Sequence, residues 1–160
     1  PPITLSLRGS WASGYEEEIR RVAQSAGLGN SQIRHLPRKP PEQLIERATQ
    51  HDVGLALEQS KKWNRDICIT NKIFAYLLAG LPVLATDTQG QRYIHQQAPE
   101  AVRLSPVDNV QAMAEQLLEW VENSEERRKA SEAARQAADD RFNWDIEKEK
   151  LLATVQSALE

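Results

Sequence analysis

Glu58, Asn64, Arg65, Thr70, Asn71 and Lys72 bring one carboxylate, two cations and three neutral hydrogen-bonding side chains into one short stretch. Thr70, Asn71 and Lys72 stand just ahead of an apolar run (Ile73, Phe74, Tyr76, Leu77, Leu78) that reads as a helix. The free amides and dipole of a helix N-terminus favour an anion, and Lys72 adds a full positive charge. The plainer reading makes Thr70 or Asn71 a cap and Lys72 a surface cation. Just upstream, Lys61-Lys62-Trp63-Asn64-Arg65 sets three cations beside an aromatic ring. Such a set can hold a phosphate and stack a base or sugar. It equally suits a loop that tucks Trp63 onto the domain or faces another domain. Glu58 is expected as an exposed carboxylate at a strand end, with contact to a ligand hydroxyl as the alternative.

The elements that position these residues are legible. The helix opening near Asn71 runs into Gly80, and Pro82 forbids its continuation, a physical stop signal. Val83-Leu84-Ala85 then reads as a fully buried strand ending at Thr86-Asp87, as a parallel sheet covered on both faces requires. Ligands of such sheets lie beyond the carboxyl ends of the strands, so Thr86, Gln89 and Gly90 are candidates. Upstream, residues 3–7 alternate as a strand and break at Gly9-Ser10, a turn where a backbone can approach a ligand. Tyr15, Ile19, Val22, Ala23 and Ala26 share a helix face. A second strand over 32–36 leads to a rigid loop carrying Arg38 and Lys39, followed by a short helix with Leu44, Ile45 and Ala48 inward. Residues 52–57 (DVGLAL) form a third strand, and 58–66 a polar loop.

Residues 101–104 suit a last strand, after which the chain is helical from about 107 to 160. Val110, Met113, Ala114, Leu117, Leu118 and Val121 predict a core-facing stripe. Ser124 is placed as the cap of a second, charged helix whose EERRK run is a solvated face. Asn143 caps a third, with Trp144, Leu151, Leu152, Val155 and Leu159 apolar and packing on their own domain by default. Strand–helix alternation followed by terminal helices means a doubly wound Rossmann-like α/β sheet, expected as a single domain over 1–160.

Bulk properties narrow the classes. With 160 residues the chain suits one ordinary domain. A net charge of −3 gives no electrostatic footprint for nucleic acid. The single Cys68 makes no internal disulfide and favours a reducing compartment; it is expected to be a small buried filler. No apolar run is long enough to span a membrane, and no basic-then-apolar leader opens the chain. Pro1-Pro2 without Met suggests a piece of something longer. His35 and His95 have no acid, Ser or Cys spaced for a triad or metal pair and are expected to be structural or surface residues. A phosphoacceptor receiver is excluded because Gly9-Ser10-Trp11 stands where an acidic cluster is needed.

DVGLAL, a polar loop, then NKIFAYLLAGLPVLATDTQG resembles the C-terminal, donor-binding domain of GT-B glycosyltransferases of the large retaining family, the glycosyl transferases group 1 type. GQRYIHQQ with VRLSPVDN, and Arg141-Phe142-Asn143-Trp144, resemble that domain's later segments. The resemblance implies a sugar transferase using a nucleotide diphosphate sugar, in which two Rossmann-like domains face each other and the C-terminal one holds the donor. It implies a chain inactive alone, missing its N-terminal domain, and an acceptor that is a glycan or lipid-linked. A cytoplasmic location is expected, with peripheral contact of the full-length protein at the inner membrane face. Cationic side chains and helix amides would stabilise charge on the leaving diphosphate, so no metal cofactor is expected. By resemblance, Asn64 and Lys72 match a variant of the donor motif, Arg38 lies near the nucleotide base, and amides from Thr86 to Gly90 face phosphate or sugar.

The chain departs from the pattern at two positions. The family's two motif glutamates fall here on Ile67 and Ala75, and Ala75 can accept no hydrogen bond. Two functions therefore compete: a donor-binding half of a glycosyltransferase, and a degenerate domain of the same fold serving as an interaction or regulatory module.

Overall fold

The computed structural model describes residues 3–59 and 62–159. It holds two compact units, Pro1–Gln43 and Leu44–Glu160. In the first, β1 (Leu5–Arg8) pairs in parallel with β2 (Ile33–Leu36), Leu5 opposite Ile33. Between them lies α1 (Tyr15–Ser25), of which Ala23 is buried while Tyr15 and Val22 stay exposed. Gln32 belongs to a 3₁₀ turn ahead of β2 and not to the strand. The helix α2 (Pro41–Ala48) begins at the end of this unit.

The second unit is built on β3 (Gly54–Ala56), β4 (Val83–Thr86) and β5 (Val102–Ser105), ordered β3-β4-β5 and all parallel. β4 is central and every residue in it is buried, as its unbroken apolar run requires. Its side chains alternate between two cores. Val83 and Ala85 join Ile73 and Leu77 of α4 (Asn71–Leu78), Ile94 of α5 (Gln89–Gln97), and Ala134, Ala137 and Ala138 of α7 (Ser124–Asp140). Leu84 points the other way, onto Trp120 of α6 (Val110–Glu122) and Ala130. Helices thus cover both faces of a Rossmann-like parallel sheet, with helices closing the C-terminus.

The stop after α4 is the expected one. Gly80 takes φ +70°, the Leu81 amide donates to the Tyr76 carbonyl (2.9 Å), and the Gly80 amide donates to Leu77 (2.9 Å). That pair of bonds closes the helix and needs a residue tolerant of the left-handed region. The later motif packs on the same helix, with Phe142 and Phe74 ring centres 5.7 Å apart. The turn ahead of α6 closes through the Asn109 amide on the Pro106 carbonyl (3.2 Å).

Several local expectations are corrected. The stretch 58–66 is not all loop: its described part contains a short helix, α3 (Trp63–Ile67), while Lys61 lies outside the described residues. Trp120 is the buried anchor of α6, and Val110 and Leu118 of the expected stripe are exposed. Asn123, not Ser124, caps α7, accepting the Glu126 amide at 3.1 Å. Cys68 is exposed. On α8 (Trp144–Leu159), capped by Asn143 as expected (3.1 Å from the Ile146 amide), Trp144, Leu151, Leu152, Val155 and Leu159 are exposed, not packed on their own domain. The EERRK run is a solvated face paired through Arg128 with Glu125 and Glu132, and Lys129 with Glu126. Among the described residues no helix is long and apolar enough to cross a membrane.

Candidate functional site

At the carboxyl end of β3 the chain turns at Glu58, and Thr86 at the end of β4 fixes that turn. The Glu58 amide donates to Thr86 Oγ1 (2.7 Å), and the Thr86 hydroxyl donates to the Glu58 carbonyl (2.8 Å). Gln91 in the first turn of α5 completes the clamp: its Nε2 donates to the Ala56 carbonyl (2.7 Å) and to Thr86 Oγ1 (3.2 Å). The Thr86 hydroxyl thereby uses its one donor and both acceptor positions inside the chain.

With its backbone held, Glu58 turns inward. It is 4% exposed, not the exposed strand-end carboxylate expected. Its Oε1 accepts from the Thr70 hydroxyl (3.0 Å) and the Lys72 ammonium (2.5 Å), and its Oε2 faces Arg65 at 3.6 Å. Burial alone would raise the Glu58 carboxyl pKa. The hydrogen bonds from Lys72 and Thr70 and the charges of Lys72 and Arg65 outweigh it and hold the group below its ordinary value. One buried carboxylate is thus shared by two cations that are more than half exposed, at 51% for Lys72 and 61% for Arg65. Both cations reach solvent beside the N-terminus of α4. Thr70 holds the N-cap position, but its hydroxyl is spent on Glu58 and caps no amide.

The α5 N-terminus is arranged differently. The Asp66 carboxylate of α3 accepts the Gln89 amide at 3.3 Å, and Thr88 accepts from the Gln91 amide (3.4 Å). Gly90 is buried, and a Cβ there would stand 2.6 Å from the Cys68 carbonyl oxygen. Glycine is required for that close approach between α5 and the segment after α3. Beside this region, a cleft of about 220 Å³ is lined by Leu57, Glu58, Thr86, Asp108, Asn109 and Met113 among others.

The structure thus brings together Glu58, Arg65, Thr70 and Lys72, with Thr86 behind them. Asn71 is exposed at the first position of α4, and Asn64 and Trp63 are exposed on α3. Gln89 and Gly90 belong to the neighbouring α5 terminus. In the first unit, the Gly9 amide donates to the Leu36 carbonyl (3.0 Å) and its carbonyl lies 2.8 Å from His35 Nε2, so both backbone groups are engaged. Ser10, Arg38 and Lys39 are exposed there. His35 also packs on Trp11 (4.9 Å between rings) while staying exposed, and His95 Nδ1 lies 2.7 Å from the Val102 carbonyl. Among the described residues no group of His, Cys, Asp or Glu is arranged to hold a metal ion. Sequence reasoning missed Gln91 and Asp66. A buried glutamine inside an amphipathic helix carries no periodic signal, and α3 is too short for one.

A parallel sheet covered by helices on both faces, with a charged cluster at its carboxyl edge and closing C-terminal helices, is a Rossmann-like architecture, shared with the GT-B glycosyltransferases it resembles. The chain belongs to the glycosyl transferase-like family, whose profile matches residues 3–153. It is similar to Anabaena HepE, solved in complex with UDP-glucose (TM-score 0.77, 20% identity, covering 98% of this chain and 42% of that one). The HepE complex with UDP gives a TM-score of 0.76 at 20% identity and the same coverage of 98% and 42%. WaaG, a glycosyltransferase involved in lipopolysaccharide biosynthesis, is also similar (TM-score 0.65, 21% identity, 86% of this chain and 34% of that one). The chain therefore spans less than half the length of these relatives. No curated protein sequence matches it.

Proposed function

We propose that this chain is the donor-binding half of a hexosyl-transferring glycosyltransferase that uses a nucleotide diphosphate sugar. The observation that carries the reading is the convergence of Lys72 and Arg65 on one buried carboxylate beside the α4 N-terminus. Two half-exposed cations with helix amides behind them suit a diphosphate, whose departure needs positive charge at the β-phosphate. HepE and WaaG, which share the fold, lend support, HepE through its nucleotide complexes. The protein's own cations take the charge-stabilising role in this reading, without a metal. Thr70, Asn71, Lys72 and Arg65 contact the diphosphate; Asn64, Gln89 and Gly90 are secondary donor contacts. Acceptor binding belongs to an N-terminal GT-B domain outside this chain, so the isolated domain binds donor without transferring sugar. The acceptor is a glycan or lipid-linked glycan, and the enzyme works in the cytoplasm, at the inner membrane face where the acceptor is lipid-linked.

A second reading is favoured by Asp66. The chain's own carboxylate already occupies the Gln89 amide, and the motif carboxylates are replaced by Ile67 and Ala75. A domain built this way serves as an interaction or regulatory module without a donor. An NMR shift titration with UDP, GDP and ADP separates the two. Shifts at Arg65, Thr70, Asn71 and Lys72 support the donor site and identify the base. Silence with all three, repeated on the full-length protein, supports the module.

A further inference from the structure

Glu58 is not one of the carboxylates that the motif would supply, and it lies in the segment after β3, outside the helices that carry both of those positions. It is nonetheless the most constrained ionisable group at the site. Its amide and carbonyl are both tied to the Thr86 hydroxyl, at 2.7 and 2.8 Å, so its side chain leaves from a fixed point. From there Oε1 receives Thr70 and Lys72 while Oε2 faces Arg65. A carboxylate 4% exposed stays ionised only when it is paired and hydrogen-bonded, and here both conditions hold. The Lys72 ammonium has three N–H donors. One goes to Glu58, and the half-exposed side chain leaves the others turned toward solvent.

We infer that Glu58 is a positioning residue: its buried carboxylate holds the Lys72 ammonium, and through Thr70 the start of α4, aimed at the diphosphate of the donor. The inference rests on the proposed donor site and deepens it. A surface lysine that must immobilise its long side chain on binding loses rotamer freedom at that moment. Lys72 has already lost that freedom in the unliganded protein, anchored to an acceptor that is itself fixed. Arg65, 3.6 Å from Oε2, is the looser cation and still has that freedom to lose on binding. Glu58 offsets only one of the two cations that face it.

The test uses the tightest binder among UDP, GDP and ADP on the full chain, with Glu58→Gln, Lys72→Ala and the double variant. Glu58→Gln keeps the shape and the Thr70 hydrogen bond but removes the charge that holds Lys72. The expected loss of affinity for Glu58→Gln is on the order of tenfold. Lys72→Ala is expected to cost at least about tenfold in the unaltered chain and only about twofold in the Glu58→Gln background. A merely structural Glu58 would leave the two effects independent. Equal or tighter binding by Glu58→Gln, or the same cost for Lys72→Ala in both backgrounds, overturns the inference. Should Glu58→Gln fail to fold, relaxation of the Lys72 Cε methylene in the unaltered protein decides. Backbone-like order before nucleotide is added supports the inference, and rapid rotation overturns it. If neither a nucleoside diphosphate nor inorganic pyrophosphate binds the unaltered chain, the donor site itself fails and the role assigned to Glu58 fails with it.

Discussion

Thr86 and Glu58 hold each other twice across the ends of β4 and β3: the Glu58 amide donates to the Thr86 hydroxyl, and that hydroxyl donates to the Glu58 carbonyl. This reciprocal pair converts a strand end, where a chain is usually free to wander, into a fixed base for a carboxylate. Thr86 is a scaffold residue whose hydroxyl is fully committed to its own chain.

Replacing Thr86 with Val keeps the shape and strands the Glu58 amide and carbonyl without partners. The expected destabilisation is about 1–3 kcal/mol, the cost of leaving buried polar groups unsatisfied. Thr86→Ser keeps the hydroxyl and loses one methyl, about 0.8 kcal/mol. Urea denaturation of both variants measures the difference, and equal losses would mean the hydroxyl is not the anchor.

Glu58 also gives the domain a defined acid response. Its folded pKa lies below the ordinary value of 4.5, because hydrogen bonds from Lys72 and Thr70 and the charges of Lys72 and Arg65 outweigh burial. A depressed carboxylate adds stability that is fully present above the unfolded pKa and is lost as pH falls through the folded one. The stability difference between the unaltered protein and Glu58→Gln should therefore be flat above pH 4.5 and shrink below it. Denaturant melts between neutral and strongly acidic pH read this directly. A difference that grows on acidification contradicts the ion pairing.

Gly90→Ala drives a Cβ to 2.6 Å from the Cys68 carbonyl oxygen, a backbone atom with no side-chain freedom to yield. Overpacking of this kind costs about 1–3 kcal/mol. In a chain of this size each kcal/mol lowers Tm by about 2–4 °C. Thermal unfolding checks it, and an unchanged Tm would mean that the segment after α3 moves aside freely.

Trp120→Ala removes the largest fully buried side chain among the described residues, which packs on Leu84 and lies under the Arg103 guanidinium, 4.3 Å from the ring centre. The expected cost is about 3–5 kcal/mol. The same residue marks what the sequence could not convey. The period of α6 was legible, and so were β4, the Gly80-Pro82 stop and the parallel alternation, because each is a local consequence of residue type. The rotation of α6 about its axis was not: it is set by Leu84 and Ala130 from distant segments, which draw Trp120 inward and leave Val110 and Leu118 exposed. The site divides the same way. Thr70 and Lys72 announced a helix start, whereas the inward turn of Glu58 depends on Thr86, twenty-eight residues away. The apolar face of α8 was visible as a pattern, but periodicity names no partner, and Leu151 and Leu152 stay exposed.

Asp66 offers the sharpest test between donor site and interaction module. Its carboxylate accepts the Gln89 amide at 3.3 Å, where a helix N-terminus would otherwise present an N–H to an anion. It also sets a negative charge next to the region where the donor reading places a diphosphate. Asp66→Asn removes that charge and keeps an oxygen able to accept from the Gln89 amide. Repulsion between one charge and a diphosphate at roughly 8 Å in water is about 1 kcal/mol, so affinity for a nucleoside diphosphate should rise about fivefold at low salt. The gain should fade in strong salt, where charges beyond a few ångströms are screened. Titrations at both ionic strengths measure the two numbers. A fivefold gain that salt erases places the bound phosphates within reach of α5. An affinity that stays flat confines the ligand to the Lys72 side of the site, and a chain that binds no diphosphate with or without Asp66 is the interaction module.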